Sequence, residues 1–185
     1  MITVQNYREV LRLLHPRPVV IVVTISGSGL VNGCTVSWIT PVNIDPPTIA
    51  FSLSPKRYTY KLLRESNEAT INIVGIEDLE KAHYVGTVSG RDVADKLVKA
   101  GFTLTSSVKV KPPTIKEALG VLECRVVGEM EFTDHNLIIC EVIHARVREE
   151  LFADGAWTEE ARILLHVGGN KYTSTSKHVR AEGGD

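Results

Sequence analysis

Cysteine is scarce and poorly placed for cross-linking: the 185 residues hold three, Cys34, Cys124 and Cys140, with no Cys-x-x-Cys pair. An odd, scattered set argues for buried thiols in a reducing compartment over a disulfide scaffold or a thiolate metal site. A hairpin turn at Thr133-Asp134-His135-Asn136 would set Cys124 opposite Ala145 and Cys140 opposite Glu129, so these two are not expected to bond. Charge of one sign is also lacking. With 21 basic and 22 acidic residues the net charge is −1. Both signs are interspersed, which offers no basic field for nucleic acid and no cationic amphipathic segment for a membrane surface. No apolar run approaches the roughly 18 residues of a membrane span. The start, MITVQNYREVLRLL, reads as an amphipathic helix (Tyr7, Val10, Leu11, Leu14) and not as a signal peptide. A cytoplasmic location is the expectation that follows. The 6 histidines show no H-x-H or H-x-x-x-H spacing, so no metal site is expected.

A dinucleotide fingerprint is missing as well. Gly27-Ser28-Gly29-Leu30-Val31-Asn32-Gly33 follows a strand, but its spacing is off by one and β-branched residues with Pro41 come next. A glycine-rich hairpin connection is the better reading. What the chain does have is strand signal: Val19 to Ile25, Thr35 to Thr40, Thr48 to Leu53, Ala69 to Val74 and Ile163 to Val167 are β-branched or apolar runs bounded by Gly, Pro or Asn. Leu122, Cys124, Val126, Met130 and Phe132 alternate with charged residues as in a half-buried strand, which turns at Thr133 to Asn136 into Leu137 to Val147. Short helices fit at Asp78 to Tyr84 and Asp92 to Ala100, with a turn near Ile115 to Ala118. The length suits one domain, residues 1–185, with a loose polar tail from about 177 to 185. Six or seven antiparallel strands with peripheral helices suggest a closed or nearly closed barrel, because closure removes exposed edges.

Between Asn32 and Thr59 lies the segment richest in chemistry. Ser54 is a good N-cap and Pro55 suits the first helical position, which predicts a helix from Pro55 to about Glu65. Lys56 and Arg57 then fall in its first turn, where cations oppose the macrodipole unless an anion sits there. A phosphate would suit the free amides, the Ser54 and Thr59 hydroxyls and a guanidinium able to bind two oxygens. A solvated basic helix start is the plainer alternative. Ser89-Gly90-Arg91-Asp92 fits a capping box, which accounts for Ser89 and Asp92 but not for Arg91 or the nearby Lys96. Trp38 is core, interface or ring-stacking. Asp134-His135 is turn chemistry or a substrate contact.

Taken together, NGCTVSWITPVNIDPPTIAFSL, SPKRYTYKLL, VGTVSGRDVADKLVKAGF, TDHNLIICEVIHARV and LLHVGGNKY resemble the flavin reductase-like FMN-binding split-barrel family, and within it the flavoredoxin group, over roughly Pro16 to Tyr172. The resemblance implies a mainly β fold, a six-stranded antiparallel Greek-key barrel with short peripheral helices. It also implies a homodimer with FMN near the subunit interface. By resemblance, Thr35, Val36, Ser37 and Trp38 lie along the flavin, and Ser52, Leu53 and Ser54 with Arg57 and Thr59 take the ribityl phosphate end. Ser89, Gly90 and Arg91 with Lys96 close over the cofactor or the nicotinamide side, and Asp134-His135 matches a hairpin tip in which Thr133 replaces a glycine. Cys34 stands where a small alanine is usual.

Hydride transfer to a flavin belongs to the cofactor, so the protein has to supply a dry stacking surface, a phosphate anchor and dipoles. The leading expectation is an FMN-dependent reductase that takes hydride from NADH or NADPH and passes electrons to free flavin, ferric iron or a protein acceptor. The alternatives are a flavoredoxin-type electron carrier reduced by a partner protein, and a split-barrel module that holds a B6 phosphate.

Overall fold

The structure, a computed structural model, describes residues 1–182; residues 183–185 of the expected tail lie outside the described residues, and 177–182 run exposed without helix or strand. In chain order the elements begin with α1 (Tyr7–Arg12), β1 (Arg17–Pro18), β2 (Val20–Ile25), β3 (Val31–Val36), β4 (Ile39–Asn43), β5 (Thr48–Leu53), α2 (Tyr58–Ser66) and β6 (Glu68–Ile73). They continue with α3 (Leu79–Thr87), α4 (Lys96–Lys99), β7 (Leu104–Thr105), β8 (Thr114–Ile115), β9 (Gly120–Glu131), β10 (Asn136–Val147), β11 (Phe152–Ala153), β12 (Ala156–Trp157), β13 (Leu164–Gly168) and β14 (Lys171–Ser174).

The main sheet has seven strands, not the expected six, in the order β3-β2-β6-β9-β10-β5-β4, every pair antiparallel. It is not closed: among the described residues β3 and β4 share no ladder. The reason lies in the run from Thr35 to Thr40, expected as one strand. β3 ends at Val36, and Ser37-Trp38 leave the ladder before β4 starts at Ile39. Pro41 sits on β4, an edge strand, where a residue without an amide hydrogen is tolerated.

The Val19 to Ile25 run lacks alternation because both faces of β2 are covered. Val20 and Val22 join one core with Cys34, Phe51, Ile71 and Ile138, to which α2 adds Leu63. Ile21 and Val23 join another with Ala82 and Val85 of α3, Leu97 of α4 and Phe102. The glycine-rich hairpin behaves as read: Ser26 N–H donates to Leu30 C=O at 2.8 Å and Gly29 takes φ +88.

Two stretches depart from expectation. The helix read from Asp92 to Ala100 is only Lys96–Lys99, because Asp95 adopts the left-handed region at φ 53. In the β9–β10 hairpin a loop over 132–135, closed by Phe132 N–H to His135 C=O at 3.2 Å, puts Asn136 opposite Glu131. With two register shifts further on, Cys124 faces Val142 and Cys140 faces Val126. The expected register was therefore wrong, yet all three cysteines are free and buried as foreseen. Burial pushes the Cys140 thiol up to about 12. Met130 and Phe132, read as core, are exposed, as are Tyr7, Leu11 and Leu14 around α1.

Near the hairpin's tip Glu129 accepts from Tyr60 Oη at 2.7 Å and Asn136 Nδ2 at 2.6 Å and pairs with Arg64. Burial would raise this carboxyl, but the bonds from Asn136, Tyr60 and Arg64 outweigh it and hold it below the usual 4.5. A carboxyl held down in the folded state adds stability above its ordinary pKa and loses it as pH falls through the depressed value. Glu129→Ala should therefore cost about 1 to 3 kcal/mol near neutral pH. Urea melts at about pH 7 and about pH 3 should show the deficit against wild type shrinking in acid.

Candidate functional site at the open seam of the sheet

Where β3 and β5 diverge, the seam opens into a cavity of about 140 Å³. One wall is Thr35, Val36, Ser37 and Trp38, where the chain leaves β3; the other is Ser52, Leu53 and Ser54 at the end of β5. A second cavity, about 380 Å³, lies between the first turn of α2 and the loop after α3, lined by Arg57, Thr59, Ser89, Gly90, Arg91 and Lys96 among others. A third, about 250 Å³, runs from Thr35 and Ser37 past Gly86 to His166 and Tyr172. Arg57 lines all three. They form one trough, and every residue that the resemblance gave to the cofactor lines its first or second part.

The Arg57 turn is built differently from the expected helix start. Arg57 N–H donates to Ser54 C=O at 2.9 Å, so Ser54 to Arg57 is a turn, and α2 begins only at Tyr58 with Arg57 at the cap and no side chain capping it. The first-turn amides of α2 thus lack an intrahelical partner. Arg57 Nη1 donates to Gly86 C=O at 3.0 Å, which fixes the guanidinium; among the described residues its other N–H groups have no partner. Arg91 crosses from the other side: its Nη1 donates to Lys56 C=O at 2.9 Å and its guanidinium lies 5.6 Å from the Tyr58 ring.

Two expected contact residues lie buried in the lining of the second cavity. Thr59 is 1% exposed, and its hydroxyl accepts from Asn32 Nδ2 at 2.8 Å. Lys96 is 3% exposed and donates Nζ to Val85 C=O at 2.9 Å and Val88 C=O at 2.7 Å, closing the end of α3. Burial lowers its pKa. Ser89 makes a turn, with its hydroxyl accepting from Arg91 N–H at 3.2 Å, and does not cap a helix.

Sequence reading missed Asn32, which sits between Thr59 and Gly90: a Cβ on Gly90 would come 2.2 Å from Asn32 Oδ1. Its clue was a single Asn inside a β-branched run. The reading also gave no part to the aromatic end of the trough. His83 Nδ1 and Tyr172 Oη lie 3.0 Å apart, and Ser37 Oγ is 3.4 Å from His166 Nδ1. Trp38 and His135 face each other at 5.2 Å, so the hairpin tip does reach the seam. These partners come from opposite ends of the chain, and no local pattern marks them.

Known proteins share this architecture. Residues 11–175 match the model of the flavin reductase like domain. An uncharacterised protein of Pyrococcus abyssi is 35% identical over 172 residues, 92% of this chain and 98% of its own. The chain belongs to the flavin reductase like family. It is also similar to the reductase component of the 4-nitrophenol 4-monooxygenase/4-nitrocatechol 2-monooxygenase of Rhodococcus opacus, 31% identical over 69% of this chain and 64% of that one. The flavoredoxin of Methanosarcina acetivorans superposes with a TM-score of 0.86 at 25% identity, over 98% of this chain and 95% of the other.

This flavin reductase like domain therefore depends on a glycine at the loop over its seam. Gly90→Ala should displace Asn32, loosen the Asn32–Thr59 bond and expose the Cys34 thiol beneath it. Counting thiols with a disulfide reagent under native conditions should give none for wild type and one for the variant over the same interval.

Proposed function

We propose that this chain binds FMN along the trough and acts as a flavin reductase, taking reducing equivalents from NADH or NADPH and passing them to free flavin, ferric iron or a protein acceptor. The observation that carries the reading is Arg57, a fixed guanidinium with spare donors at the junction of three cavities. Beside it stand the Ser54 hydroxyl and the uncapped amides of α2. Those are the donors a phosphate monoester needs. The seam beyond, bounded by Thr35 to Trp38 and Ser52, suits a flat ring, and the Ser37 and Trp38 amides lie outside the ladder, free to bond a ring edge. FMN, when bound, supplies the electron chemistry that no side chain here provides. The protein's share is to bind, orient and keep water from the ring.

A flavoredoxin-type carrier, reduced by a partner protein, is the second reading, and Lys96 favours it. With that ammonium turned inward, Arg91 and Lys56 are the cations of the second cavity left for a nicotinamide diphosphate. A homodimer accords with both readings. Val42, Ile44, Val127, Met130 and Phe132 are large apolar side chains left exposed on one chain.

The purified chain should be yellow, carry about one FMN per chain by mass of the heat-released cofactor, and sediment as a dimer. Pyridoxal phosphate in its place would install the B6 reading. Arg57→Ala should weaken FMN by about 10- to 150-fold, the equivalent of roughly 1.5 to 3 kcal/mol, while riboflavin binds both forms alike. Equal weakening of both ligands would mean that Arg57 acts on the fold or the ring.

Anaerobic mixing of the FMN-loaded protein with excess NADH, then NADPH, should bleach the oxidised-flavin absorbance. Arg91→Ala should raise the half-saturating nicotinamide concentration. Bleaching by dithionite but by neither nicotinamide would assign the chain to the electron carriers.

A further inference from the structure

Outside the trough lies a pocket of about 430 Å³ that the flavin reading does not use. From α1 come Tyr7, Leu11, Arg8 and Arg12; across from them stand Trp38 and His166, with His135 at the rim. We infer that this pocket takes a planar aromatic carboxylate, held flat against Trp38 and anchored by Arg8 and Arg12. The proposal rests on the flavin reading only for what lies behind Trp38, not for the pocket itself.

Shape and surface point to an aromatic ring. Trp38 and His135 stand 5.2 Å apart, His15 meets His166 edge-on at 5.1 Å, and His166 leans on Tyr172 at 5.2 Å, so aromatic faces and edges make up much of the lining. Such walls favour flat π systems in stacked or edge-on poses. The volume is at the small end for ligand pockets and suits one or two fused rings.

Charge points to an anion. Arg8 and Arg12 are four residues apart on α1 and so share one helix face. Among the described residues neither has a carboxylate within 4.0 Å. Asp134, the acid of the lining, points largely into solvent, with its side chain 85% exposed, so the two guanidiniums leave the lining positive on balance. The surplus is felt inside: His15 is held below its ordinary value, by burial first and then by the charges of His166, Arg17 and Arg12, against the His166 carbonyl that favours its proton. The Arg12 side chain lies over Gly168, where an added Cβ would stand 3.1 Å from Arg12 Cδ. A carboxylate would give both guanidiniums a partner that accepts two hydrogen bonds at once.

The pocket adjoins the trough through Trp38, His135 and His166, so a ring lodged there is separated from the seam cavity by side chains alone. That places a second ligand beside the site of electron transfer without competing for the Arg57 junction.

Calorimetric titration of the full chain, with and without added FMN, tests this with 2-naphthoate, the uncharged planar 2-naphthalenemethanol and the non-planar cyclohexanecarboxylate. The naphthoate should bind at least about tenfold more tightly than either control, since each control removes one of the two recognition elements. In a Trp157→Phe form it should also quench the remaining Trp38 fluorescence. Arg8→Ala with Arg12→Ala should weaken it about tenfold or more and leave FMN affinity within twofold. α1 buries no residue, so the double variant should keep the wild-type melt. Equal binding of all three compounds, no effect of the double variant, or no naphthoate binding would each overturn the proposal. Naphthoate binding by a chain that takes up no FMN would instead overturn the flavin reading and keep this one.

Discussion

The Ser37 and Trp38 amides, left out of the ladder, decide how the rest of the chain must be arranged. Closing the sheet would remove its edges, and here β3 ends at Val36 without a ladder to β4. The open seam is held at its rims by other means: Ser52 N–H donates to Trp38 C=O at 2.8 Å, Thr35 Oγ1 to Ala82 C=O at 2.6 Å, and Arg57 to Gly86 C=O. The first ties the two walls of the seam together at one point, and the other two tie Thr35 and Arg57 to α3.

The helices keep that opening from collapsing. α3 packs close to β3, with Gly86 so near that an added Cβ would meet Thr35 Cβ at 3.1 Å. The Lys96 ammonium takes the last carbonyls of α3, and Asn32 holds Thr59 on α2. Polar groups taken out of water demand partners, so Lys96 fixes backbone carbonyls and the Asn32–Thr59 pair ties β3 to α2 at the edge of the trough. Glu123, fully buried, does the same at the far end of the sheet by accepting from the Val108 and Lys109 amides.

Much of the fold and of the site could be read from local sequence, and the misses share a cause. The glycine-rich hairpin announces itself within a few residues, since turn chemistry is local; the Ser54-to-Arg57 turn reads in sequence as a helix start and the Ser89 turn as a helix cap. The break at Ser37 does not, because Thr35 to Thr40 is β-prone throughout and only the strand beside it decides where the ladder stops. Lys96 and Thr59 look like ligand contacts in sequence; their partners Val85, Val88 and Asn32 come from elsewhere in the fold and turn them inward. The pairing of Cys124 with Val142 hinges on loop length and two register shifts, which alternation of side chains cannot specify. His166 and Tyr172 join the trough only because β13 and β14 form a separate small sheet with β1, whose strand directly precedes β2.

Cys34 lines two parts of the trough and yet is buried, and burial raises its pKa, as it does for Cys124 and Cys140. Oxidation by peroxide proceeds through the thiolate, and little of it exists in any of the three. By keeping them protonated and buried, the fold leaves all three sulfurs poor targets for any oxidant.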